Sequence, residues 1–305
     1  MKRDLIKLSE YSSAEIIGLI NSADRLKKQK GKLRKDLKGK SVALVFQKPS
    51  NRTRVSFAVG IYELGGHSLY LGPEEISLGK RESTYDVAKT LSRYVHCIVA
   101  RVFDNKDIME LAQYADVPVI NALCDLYHPC QALADIQTIR EQFGKFKGLT
   151  LSYVGDGNNV FHSLVMACAK VGINVRFAGP RGYDPNPEIV NLAKETAKKN
   201  KCSIELGRDA KEAVKGADVI YSDVWVSMGQ ENETEKRIKE FEGYQINQDL
   251  VKLADKNYVF MHCLPAHRGL EVTADIIDGK HSVIFDQAEN RLHAQKAVLL
   301  ELLVK

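Results

Sequence analysis

Short apolar runs alternate with longer amphipathic ones from one end of the chain to the other, which is the pattern of parallel α/β sheets. A parallel strand needs a long crossover before its neighbour, so strand and helix must take turns, and all-α or all-β architectures do not fit. The alternation predicts helices over 13–28, 52–64, 84–94 and 106–114, and strands over 42–46, 68–71, 97–100 and 118–121. A helix opening at Pro129, where a missing N–H costs nothing, runs to about 143 and is the candidate link between two halves. The second half repeats the pattern with strands over 151–154, 174–178, 203–206, 219–222, 258–263 and 282–285. A long polar insertion over 225–245 interrupts it, and a helix over 288–303 closes it. At 305 residues the chain is about twice a usual domain. The expected fold class is therefore α/β, with two doubly wound parallel-sheet domains joined by interdomain helices.

Charge narrows the partners. Lys and Arg number 44 against 39 for Asp and Glu, a net of +5 spread along the chain, which suits small anionic substrates. The densest basic stretch, 25–40, is expected to be a solvated helix face and loop, so no nucleic acid is expected as a partner. None of the six cysteines forms a Cys-x-x-Cys pair, and neither a metal nor a redox centre is expected. The first residues lack the apolar core of a secretory signal, and no apolar run approaches membrane-span length. A cytoplasmic protein with no membrane partner is the expectation.

Four polar clusters sit where strands should end. Ser50-Asn51-Arg52-Thr53-Arg54 follows one strand and opens a helix, so free backbone N–H groups and the positive end of the helix dipole meet two hydroxyls and two guanidiniums. Arginine is unfavourable at that end unless an anion offsets it, which makes the segment a candidate phosphate cradle rather than a simple cap. Arg101 follows an apolar strand at the edge where open α/β sheets bind ligands. His128 and Gln131 flank Pro129 and offer donors and acceptors to a small planar amide. Asp223 ends a strand, with Ser227 and Met228 soon after; a carboxylate there suits a cationic amine, or caps its own loop. In His262-Cys263-Leu264-Pro265, backbone carbonyls freed from the sheet could bind an NH2 group, while a lone Cys263 is more often an inert buried thiol. Arg291 on the closing helix is by itself a helix-face ion pair.

Val154-Gly155-Asp156-Gly157-Asn158-Asn159 also lies between strand and helix. Val160 stands where a dinucleotide fingerprint needs its third glycine, and no acidic residue ends the next strand, so a nicotinamide cofactor is not expected. Asn159 instead becomes a candidate contact to a second substrate.

Together these residues resemble the transcarbamoylases, and among them the branch acting on ornithine. Residues 46–54 are similar to that family's Ser-Thr-Arg-Thr-Arg loop, 128–131 to its His-Pro-x-Gln, 223–229 to its Ser-Met-Gly loop and 262–265 to its His-Cys-Leu-Pro, and the similarity spans nearly the whole chain. The resemblance implies a carbamoyl-phosphate site of Ser50, Asn51, Arg52, Thr53, Arg101, His128, Gln131, Cys263, Leu264 and Arg291. It implies an L-ornithine site of Asn159, Asp223, Ser227 and Met228. Arg52, Arg101, His128, Gln131, Asp223, Cys263 and Arg291 would carry the catalysis, with no cofactor. It further implies a carbamoyl-phosphate domain over 1–143 closed by a helix over 288–305, an ornithine domain over 144–287, and a homotrimer or multiple of trimers. Two positions depart from the pattern: Asn51 replaces a Thr, and Ser77 stands where the family often has a Gln or His reaching a neighbouring subunit's site. Ser77 or Lys80 would have to replace that contact. Putrescine as acceptor, or a silent ligand-binding homologue, remain the alternatives.

Overall fold

The structure is a computed structural model that describes residues 2–76, 78–79, 81–226 and 231–304. The chain divides into two compact units, Met1–Gln137 with Glu289–Lys305, and Thr138–Ala288. Among the described residues each unit is built on one sheet, parallel throughout, as the alternation predicts.

In the first unit, helix α1 (Ser13–Lys27) precedes β1 (Ser41–Phe46), α2 (Asn51–Glu63), β2 (His67–Leu71), α3 (Pro73–Ile76), α4 (Thr84–Tyr94), β3 (Cys97–Arg101), α5 (Asn105–Tyr114) and β4 (Val119–Leu123). The strand order is β2-β1-β3-β4. Buried side chains line both faces of β1 and β3, whose continuous apolar sequences record coverage by helices on each side. Ser12 caps α1 in a reciprocal box with Glu15. The chain leaves β1 in one direction to reach β2 and returns on its other side to β3, so the carboxyl ends of β1 and β3 flank a topological switch point. Phe46 pairs with Arg101 across that point.

Helix α6 (Pro129–Phe143) leads to β5 (Thr150–Val154), α7 (Asn159–Val171), β6 (Asn174–Ala178), α8 (Pro187–Asn200), β7 (Ile204–Gly207), α9 (Ala210–Val214) and β8 (Val219–Ser222). Then come α10 (Thr234–Glu240), α11 (Gln248–Val251), β9 (Val259–His262), α12 (Ala274–Ile277) and α13 (Ile284–Leu303). The boundary between the units falls within α6 and again within α13. The second sheet runs β7-β6-β5-β8-β9, with its switch point between β5 and β8. Tyr153, Phe161, Phe177 and Tyr221 stack in its core, and every residue of α7 from Val160 to Ala169 is buried.

One predicted strand is absent. Residues 282–285 contribute a single bridge, Phe260 to Ser282, and α13 starts at Ile284 rather than 288. The β-branched Val283 and Ile284 favour a strand locally, but Phe285 is 72% exposed, so this apolar run does not mark a segment buried on both faces. The charged run 231–240 folds into a short 3-10 turn and α10.

Helix α13 carries a titratable group whose burial has a measurable consequence. The His293 side chain is excluded from solvent, 3.3 Å from Glu289, and burial pushes its pKa from 6.5 down to about 4 against the opposing pull of that carboxylate. The unfolded chain takes up a proton that the folded one refuses. Stability from this group is therefore complete above pH 6.5 and is lost as pH falls towards about 4. Calorimetric melting temperatures should fall across that window and flatten in part in His293→Gln; an unchanged slope in the variant refutes the assignment.

Candidate active site

The first half of the site grows from the switch point of the first sheet. Ser50 adopts extended backbone and caps α2, its Oγ accepting the Thr53 N–H at 3.3 Å. Asn51 is exposed at the first helical position, and Arg52 is half-buried. Arg54, grouped with Arg52 by sequence, turns outwards over the Tyr70 ring at 3.7 Å. Thr53 is buried, and its Oγ1 accepts a hydrogen bond from Arg291 Nη2 at 3.0 Å. The other arm of that guanidinium, Nη1, donates to Gln131 Oε1 at 2.6 Å, and Gln131 Nε2 donates to Asp135 Oδ1 at 2.8 Å. Arg291 is thus no helix-face ion pair: it is 3% exposed and joins α2, α6 and α13 inside the first unit.

His128 precedes α6 and is buried. Its pKa lies well below 6.5, first because burial disfavours the charged form and then because Arg291, Arg101, Arg52 and Lys48 all repel a proton there. The imidazole is therefore neutral at physiological pH, a hydrogen-bonding group instead of a charge. Arg101, at the end of β3, is 9% exposed. Lys48 is equally buried, sits 4.6 Å from the Phe103 ring centroid, and has its pKa lowered by burial and by Arg101. Sequence reasoning missed Lys48, whose position two residues past the end of an apolar strand was the available signal. Four cations around a neutral imidazole make a receptor for a compact anion. Ser77, and with it Lys80, lies outside the described residues.

The second half lies at the switch point of the second sheet. Asp223, just past β8, is 5% exposed. Its Oδ2 accepts from Asn158 Nδ2 at 2.8 Å, and its Oδ1 from the Cys263 thiol at 3.0 Å. Asn158 also caps α7, its Oδ1 accepting the N–H groups of Val160 and Phe161 at 3.0 and 3.3 Å. Sequence reasoning named Asn159, the half-buried first residue of α7, and overlooked its neighbour; the strength of Asn as a helix cap was the missed signal. Gly157 allows the loop its course, since a Cβ there would meet the Pro185 backbone nitrogen at 2.2 Å.

Cys263 and Leu264 lie in this unit as well, in the turn after β9. His262 shapes that turn: its Nδ1 accepts the Leu264 N–H at 2.9 Å, and its own N–H donates to Gln287 Oε1 at 2.9 Å. The bond holds Leu264 at φ +59°, a left-handed conformation that an unsupported leucine rarely keeps. Ligand atoms of Asp223, His262 and Cys263 lie within 4.8 Å of one another, a donor set that a borderline-soft divalent cation could use. Here the thiol is instead engaged with Asp223 and Nδ1 with Leu264. Ser227 and Met228 fall outside the described residues.

Clustered cations thus stand at one switch point and a hydrogen-bonded buried carboxylate at the other. Residues 3–141 match the carbamoyl-P binding domain of aspartate/ornithine carbamoyltransferase, and residues 147–302 match its Asp/Orn binding domain. The chain belongs to the aspartate/ornithine carbamoyltransferase family and is a carbamoyltransferase. An ornithine carbamoyltransferase of Thermococcus kodakarensis is 54% identical over 97% of this chain and 95% of its own length. An anabolic ornithine carbamoyltransferase of Pyrococcus furiosus is equally similar over the same shares. Among solved structures, the Pyrococcus furiosus ornithine carbamoyltransferase superposes with a TM-score of 0.96 at 53% identity, covering 99% of this chain and 97% of that one. The Gloeobacter violaceus enzyme gives 0.89 at 44% identity, with 98% of each chain covered.

Proposed function

We propose that this protein transfers the carbamoyl group of carbamoyl phosphate to the δ-amine of L-ornithine, giving L-citrulline and phosphate. The observation that carries the reading is the buried Asp223 carboxylate, held by Asn158 and Cys263 in the half of the chain matched as Asp/Orn-binding. A carboxylate at that place favours a cationic amino acid and disfavours aspartate, whose side chain it would repel.

Ser50, Asn51, Arg52 and Thr53 hold the phosphate at the opening of α2. Arg101, Gln131 and the neutral His128 address the carbamoyl group, and Cys263 and Leu264 are assigned its NH2. Arg291 fixes Thr53 and Gln131 through its two arms. Asn159, Asp223, Ser227 and Met228 bind ornithine. The δ-nitrogen lone pair attacks the carbamoyl carbon, a C–N bond forms, and the tetrahedral intermediate places charge on oxygen beside the arginines. The C–O bond to phosphate then breaks, the electron pair leaves with phosphate, and the proton shed by nitrogen balances its charge. Each well-aimed donor to the developing oxyanion contributes about 3 kcal/mol. The domain assignment follows: carbamoyl phosphate over 1–143 with 288–305, ornithine over 144–287. The family resemblance supports a homotrimer or multiple of trimers acting in the cytoplasm, with Ser77 or Lys80 at the neighbouring site.

A citrulline-forming assay with ornithine, putrescine and aspartate as acceptors tests the reading. Ornithine should be strongly preferred, and kcat/KM for it should rise about tenfold per pH unit in the neutral range, because only the free amine reacts and its pKa is about 10. Preference for putrescine, or no product from any acceptor, refutes it.

A further inference from the structure

Nothing in the charged run 231–240 marks Arg237 out, yet it is 5% exposed and its Nε, Nη1 and guanidinium face are all engaged. Its Nη1 donates to Asp156 Oδ2 and to the Trp225 carbonyl, both at 2.8 Å. Its Nε donates to Glu233 Oε2 at 2.9 Å, and the guanidinium lies 4.8 Å from the Tyr183 ring centroid. The positions of the two Nη1 acceptors matter. Asp156 is two residues before Asn158 on the loop after β5, and Trp225 is two residues after Asp223 on the loop after β8. The Asn158–Asp223 hydrogen bond therefore has a second rung beside it, joining the same two loops through Arg237.

We propose that Arg237 is a positioning residue for the amine substrate, holding the loops after β5 and β8 in the register that presents the Asp223 carboxylate. The proposal rests on the ornithine reading for the identity of that substrate. Without the guanidinium, Asp156 would be a largely buried, unpaired carboxylate near the negative charge of Asp223, and burial already pushes its pKa up. Its relief is to take a proton or turn towards water. Either movement displaces the backbone that carries Asn158, and with it the donor that fixes Asp223.

A buried ion pair that only stabilised the fold would predict something different. Its loss would lower the amount of folded enzyme and leave the affinity of the surviving sites alone. Kinetics on the full chain separates the two. Arg237→Met should raise the KM for ornithine about tenfold or more, with the KM for carbamoyl phosphate changing less than about twofold. Arg237→Lys, which keeps the charge and part of the reach, should recover much of the loss. Asp156→Asn should act in the same direction, and the double variant should be no worse than the worse single, since both break one tie. Should Arg237→Met not fold, Asp156→Asn decides. Unchanged ornithine KM in the folded variants, or equal shifts for both substrates, overturns the proposal. Failure of the ornithine reading would appear separately, as absence of citrulline formation by the unmodified protein.

Discussion

Arg101→Met is expected to lower kcat/KM for carbamoyl phosphate by about a thousandfold while leaving the melting temperature unchanged or slightly higher. The activity loss follows from the role proposed for a guanidinium at the carboxyl end of β3, aimed at charge that develops only in the transition state. The stability result follows from its surroundings. Arg101 lowers the proton affinity of both Lys48 and His128, which is to say that it repels positive charge at each of them. Removing it relieves like-charge crowding around a buried site, so activity and stability should move in opposite directions. Steady-state kinetics beside calorimetry provides the check. A parallel fall of activity and melting temperature would reassign Arg101 to holding the fold together.

Asp223→Asn should cost about a hundredfold to a thousandfold in kcat/KM for ornithine and little in the KM for carbamoyl phosphate. Asparagine nearly preserves the shape and can still accept from Asn158 or the Cys263 thiol, so the protein should fold normally. What disappears is the charge. The amino-acid ammonium must then shed its water in a buried place without a counter-ion, and truncating one side of such a contact costs about 2–5 kcal/mol. Near-normal ornithine kinetics in this variant would remove Asp223 from the substrate site.

Legibility in the sequence followed the kind of signal each element carries. Strands β1, β3, β5 and β8 were plain because burial on both faces leaves an uninterrupted apolar run, and the polar clusters were plain because each ends such a run at a sheet edge. The 282–285 run misled because its apolar residues imitate a buried strand, whereas Ile284 and the exposed Phe285 open the first turn of α13. Arg237 was hidden among solvated charges, since burial of one arginine in a helix of seven residues leaves no periodicity to detect. Arg291 was visible as a residue but not as a connector: its partners Thr53 and Gln131 stand 238 and 160 positions away, and only the fold brings them within reach. Asn158 was masked by an equally polar neighbour, where a shift of one residue separates the cap from the first helical position.

Gly157 sets a boundary for anyone wishing to redirect this scaffold towards another nucleophile. Any side chain there, on the short loop that also carries Asp156 and Asn158, drives against the Pro185 backbone. Libraries aimed at new acceptors should therefore keep that position as glycine, however far their diversity reaches elsewhere in the chain.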